Sequence, residues 1–134
     1  MTSAGRLLHQ RNAEPAVSTL RIINLTRDTQ LGSRVQLAGD GSSRRKGLLG
    51  RECLADGEGL WIVPCEAVHT FWMRFPIDLI YLDREHRVVK TRSNVPAWRL
   101  SGCLRAHSVL ELPSGLIHNT RTTPGDRLSL VSST

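Results

Sequence analysis

Two cysteine–histidine pairs share one spacing, Cys65-x-x-x-His69 and Cys103-x-x-x-His107. Residues four apart lie on one face of a strand and one turn apart on a helix, so either geometry presents a thiol and an imidazole together. Two thiolates and two imidazoles suit tetrahedral zinc, which makes Cys65, His69, Cys103 and His107 the candidate metal ligands. The short Cys-x-x-Cys knuckle is missing, and 33 residues separate His69 from Cys103, so the fold would have to join the pairs. Apart from that zinc set, the sequence calls for no cofactor. The same residues admit a thiol-dependent enzyme, in which an imidazole activates a thiol and a carboxylate orients the ring. Glu66, Asp78 and Glu111 are the available carboxylates. The plain alternative is that Cys65 and Cys103 are small buried apolar residues, kept reduced in an unsecreted protein.

A second constellation follows at once, Thr70-Phe71-Trp72-Met73-Arg74-Phe75. If this stretch is a strand, alternation sends Phe71, Met73 and Phe75 to the core and Trp72 and Arg74 to the other face. A Trp beside an Arg can stack on a planar or sugar-like group while the guanidinium grips an anion. Arg74 could equally pair with Asp78, four residues on. Trp98-Arg99 repeats the chemistry in a loop after Pro96. His69, Trp72, Arg74, Asp78 and Trp98 are therefore the candidate ligand-binding residues, for a small anionic or sugar-like molecule. Glu111 is expected to be exposed on a half-buried strand, or buried if Leu110 and Leu112 point outward.

The elements that must position these groups are short. Apolar alternation and turn residues mark strands near 20–25, 34–37, 60–63, 77–82, 87–91, 109–112 and 127–131, with 71–75 as a further candidate. Asp28–Gly32 reads as a turn, and Asp83–His86 as the loop of a hairpin. Ser42 or Ser43 can cap one short helix near residues 43–50 that Gly50 ends. Seven or eight short strands broken by Gly and Pro indicate a mostly-β (α+β) fold, a compact single-domain β-sandwich or barrel-like structure. Residues 1–17 lack periodicity and read as a flexible N-terminal tail ahead of one domain over 18–134.

Lys plus Arg number 18 against 12 Asp plus Glu, a net charge of +6, and the whole excess lies in residues 1–51. Its densest point is Arg44-Arg45-Lys46, which could neutralise phosphates. Three cations without interleaved aromatics fit a solvated helix face better, so nucleic acid is not the expected partner. No apolar run approaches the roughly 20 residues of a membrane span. The first 25 residues contain Arg6, His9, Arg11 and Glu14 and no signal-like apolar core, so the expected compartment is the cytoplasm. Phosphate-cradling loops, nucleophile elbows and zinc-protease helices are all absent.

Taken in order, Lys46-Gly47-Leu48-Leu49-Gly50-Arg51, Gly57–Ile62, Pro64–Asp78, Val109–Gly115 and Pro124-Gly125-Asp126 resemble the prokaryotic family catalogued as "domain of unknown function 192". The resemblance spans about residues 20–131. It implies a small mostly-β domain whose short helix carries a Gly-Leu-(Met/Leu)-x-Arg segment, with Leu49 where Met is usual. It brings no established activity, and some relatives carry export or lipoprotein signals, so it does not fix the compartment. The sequence therefore favours a small ligand-binding or interaction module over an enzyme. A metal- or thiol-dependent enzyme stands second, and nucleic-acid binding through Arg44, Arg45 and Lys46 third.

Overall fold

The computed structural model describes residues 19–133, and the tail expected over 1–17 lies outside them. In chain order the described elements are β1 (Thr19–Asn24), β2 (Thr29–Ala38), α1 (Gly41–Lys46), β3 (Glu58–Ile62) and β4 (Ala67–His69). They continue with β5 (Ile77–Leu82), β6 (Val88–Val95), β7 (Leu100–Gly102), β8 (Ser108–Pro113), α2 (Leu116–Thr120) and β9 (Leu128–Ser132).

The segment Ile77–Leu82 is buried along its whole length and becomes the inner strand β5. Its period of two divides the side chains between two cores. Ile80 and Leu82 join Ile22, Leu31, Val35, Leu110, Leu112 and Leu128 on one face. Ile77, Leu79 and Tyr81 join Ile62, Met73, Val95 and Val109 on the other. Burying one such aliphatic side chain is worth about 2 kcal/mol, so both faces hold the sheet together.

Seven strands form one sheet in the order β6-β5-β8-β3-β2-β1-β9, and β4 pairs with β7 in a separate ribbon. Within the large sheet only β2 and β3 run parallel. Parallel neighbours require a crossover rather than a hairpin. Residues 39–57 supply it and carry α1 over one face of the sheet. The two edge strands meet at one end. There the Val88 N–H donates to the Asp126 carbonyl (2.8 Å) and the Leu128 N–H to that of His86 (3.0 Å). The sheet is thus curled into a partial barrel, in line with the barrel-like expectation.

Several local expectations change. The first turn falls at residues 25–28, with Asp28 at φ +55°, because Leu31 belongs to the core and draws Thr29–Gly32 into β2. Asp40, not a serine, caps α1: its Oδ1 accepts from the Ser43 N–H at 2.7 Å. The helix ends at Lys46, and Gly47 (φ +52°) turns the chain before Gly50 is reached. A second helix, α2, is present where only one was expected. Phe71–Phe75 is not a strand. Trp72 takes φ +67°, which breaks the extended run; Met73 is buried and Trp72 exposed as alternation would place them, but Phe71, expected in the core, is exposed.

Candidate functional site

The crossover, the ribbon and the sheet enclose a cavity of about 550 Å³. Arg44, Lys46, Gly47, Leu48 and Leu49 line it from the crossover, and Cys65, Val68 and His69 from the β4 side. Ile62, Met73 and Glu111 complete the wall. Its size falls within the roughly 300–1,000 Å³ of small-molecule sites. The lining combines apolar side chains with a few groups of definite chemistry.

Glu111 is the most unusual of these. Leu110 and Leu112 fill the core inside the curl, so the pleat points Glu111 to the other face, where α1 and the ribbon cover it. Neither expected alternative therefore holds, because β8 is buried on both faces. Only 4% of Glu111 is exposed, and among the described residues its Oε1 has no hydrogen-bond partner. Burial raises its carboxyl to a pKa of about 7. Unpartnered buried polar atoms are rare and commonly mark a function or a strain reservoir. Gly47 lies beside this group: a Cβ at that position would sit in van der Waals contact with Oε1, at 3.4 Å.

The two cysteine–histidine pairs are placed by the ribbon and its flanks. The Cys65 N–H donates to the His107 carbonyl and the Cys103 N–H to that of Glu66, both at 2.8 Å. Both thiols pack against the core that contains Tyr81. His69 lines the large cavity, whereas His107 lines a separate cleft beside Glu66 and Arg84, with Cys65 between the two. The four side chains do not converge. Among the described residues no three His, Cys, Asp or Glu are grouped to hold a metal ion. Burial also pushes the Cys65 thiol up, and it donates to the Ala67 carbonyl at 3.1 Å, so nothing here favours a reactive thiolate. Cys53, Cys65 and Cys103 are all free.

The ligand-binding candidates divide. His69 stacks obliquely on Phe71 (4.9 Å between ring centres), Phe71 lies 5.7 Å from Trp98, and Trp98 meets Trp72 edge-on at 4.5 Å. This aromatic row runs outward from the cavity wall. Trp72 and Trp98 are 71% and 52% exposed, and both hold positive φ, which bulky residues seldom adopt. Thr70, passed over in the sequence, pins them there. Its carbonyl accepts from the Met73 and Trp98 N–H groups, and its hydroxyl bonds the Pro96 carbonyl and the Arg99 N–H. A small β-branched residue carries no signal of such a role. Arg74 does not reach Asp78; it lies 3.6 Å from Glu52, and both side chains are mostly exposed. Such surface pairs contribute little. Asp78, expected to meet a ligand, is fully buried, with one oxygen accepting from the Asn94 N–H and the other from Ile117, each at 2.8 Å.

The architecture is therefore a curled, mostly-β domain with a ligand-sized cavity on its outer face. The chain belongs to the family DUF192, described as an uncharacterized ACR, whose profile matches residues 23–130. Two solved structures share the fold. One, from Sinorhizobium meliloti 1021 and provisionally named a transcription regulator, has a TM-score of 0.75 at 23% identity, covering 88% of this chain and 98% of that one. The other, a protein of unknown function from Novosphingobium aromaticivorans DSM 12444, has a TM-score of 0.74 at 22% identity, covering 88% and 94%. No curated protein matches the chain. Among the described residues no helix is long and apolar enough to cross a membrane.

Proposed function

We propose that this protein is a small-ligand-binding domain. Its ligand, anionic or sugar-like, enters between α1 and β4, reaches Glu111 at the floor and leaves its outer part against His69, Trp72 and Trp98. The observation that carries this reading is the unpartnered, buried Glu111 carboxyl at the base of a cavity of about 550 Å³. A ligand N–H or O–H would supply the missing donor, and the aromatic row offers a surface for a sugar ring. Arg44 and Lys46 line this cavity, which supports a role with an anionic ligand above nucleic-acid binding. The three free thiols agree with a reducing, cytoplasmic setting.

Thermal shift against sugars, sugar phosphates and small organic acids tests the reading. At least one class should raise the melting temperature of the wild type, and the rise should be smaller in Gly47→Ala, whose methyl group takes up cavity space in contact with Glu111. Gly47→Ala should also cost about 1–2 kcal/mol through its positive φ, visible without ligand. A ligand that stabilises both proteins equally would contradict the placement of the site.

A further inference from the structure

The cavity carries charged and titratable groups of opposite sign on different parts of its wall. At its floor Oε1 of Glu111 has no hydrogen-bond partner, and none of the ion pairs among the described residues involves this carboxyl. Burial holds this carboxyl at a raised pKa of about 7. A buried carboxyl without a partner keeps its proton to higher pH, and a positive charge brought beside it favours the ionised form. The more exposed part of the wall is opposite in sign. Arg44 and Lys46 both line the cavity from α1, and Arg44 is braced by one terminal nitrogen donating to the Gly39 carbonyl at 2.6 Å. The wall also carries Leu48, Leu49, Ile62, Val68 and Met73, which suit a hydrocarbon stem.

We propose that the cavity takes a small zwitterion of the aminoalkanoate class, an amine and a carboxylate joined by an apolar stem, with its ammonium on Glu111 and its carboxylate on Arg44 and Lys46. The inference rests on the small-ligand reading and narrows it. No covalent bond of the ligand is made or broken on binding; the one change is a proton passed from Glu111 to the buffer. An ammonium drives Glu111 to its ionised form, so binding near neutral pH releases a proton from that carboxyl. The other charged or titratable groups lining the cavity are Arg44, Lys46, Cys65 and His69.

Titration calorimetry with glycine, 4-aminobutanoate and 6-aminohexanoate, alongside hexylamine and hexanoate, tests the proposal. One chain length should bind best, and about tenfold or more tighter than either single-ended compound, as a charge-assisted pair at each end requires. Glu111→Gln should remove the advantage over hexanoate together with the buffer-dependent heat of proton release. Arg44→Ala combined with Lys46→Ala should remove the advantage over hexylamine. The zwitterion is overturned if hexanoate binds as tightly as the best aminoalkanoate, or if Glu111→Gln leaves the affinities unchanged. Should sugars or simple acids bind with dependence on Glu111 instead, the zwitterion fails while the small-ligand site stands. Should neither these compounds nor the sugars and acids bind at all, both fail.

Discussion

Glu111→Gln is expected to make the protein more stable at about pH 8, by about 3 kcal/mol relative to its effect near pH 4.5. Burial lifts this carboxyl from 4.5 to about 7. Between those values the folded protein holds a proton that the unfolded chain has lost, so Glu111 erodes stability as pH rises through that window. Above pH 7 both states are ionised, and the penalty stays at its full value. A glutamine of the same shape has no proton to lose and removes that slope. For a domain of this size the gain corresponds to a rise in melting temperature on the order of 10 °C in alkaline buffer. Urea denaturation of both proteins from about pH 4.5 to about pH 8 checks this. Parallel stability curves for mutant and wild type would show that the carboxyl is not both buried and unpaired. Asp126 acts in the opposite direction. Burial tends to raise it, but bonds from Asn24, the Thr123 N–H and Arg27 together hold it below the usual carboxylate range. Its contribution is therefore present at neutral pH and lost as pH falls through its folded-state value, below the range in which Glu111 titrates.

Asp78→Ala should be among the most destabilising single changes, costing about 3–5 kcal/mol. Its two oxygens bind the Asn94 N–H at the end of β6 and the Ile117 N–H in the first turn of α2, so one carboxylate ties strand to helix. Removing it leaves two backbone donors without an acceptor, and Ile117 is itself part of the core. Chemical denaturation reads the loss directly, and ligand affinity measured on the surviving folded fraction should stay within about twofold, since sites without shared partners act independently. A normally stable variant that no longer binds ligand would reverse the assignment and return Asp78 to the site.

The contrast between Asp78 and Glu111 explains what the sequence could convey. Alternation in Ile77–Leu82 identifies β5 and both of its faces, because period two is a local property of the strand. The same pattern in Val109-Leu110-Glu111-Leu112 is ambiguous. Whether Glu111 meets water depends on α1 being carried across the sheet by residues 39–57, a non-local consequence of the parallel β2–β3 pairing. The echo of Cys65–His69 in Cys103–His107 reflects a real pairing of segments, since β4 and β7 are adjacent antiparallel strands. Antiparallel order, however, sends His69 and His107 toward different cavities. Trp72 and Trp98 come together as their shared Trp-plus-Arg pattern suggested, yet through left-handed turns anchored by Thr70 rather than through a strand. From the sequence Gly47 falls inside the helix that Gly50 is expected to end, and nothing there signals the carboxyl beneath it.

The claim at the centre of this account is that the Glu111 cavity is where a small molecule binds. The most direct measurement is an amide NMR screen of the full chain against a fragment set containing amines, acids, aminoalkanoates and sugars, with shifts mapped residue by residue. Fragments that bind should move the resonances of Gly47, Leu48, Val68, His69 and Glu111 together, and Glu111→Gln should weaken this set of shifts. Binding mapped to another face, or no response from these five residues to any fragment at millimolar concentration, would contradict it.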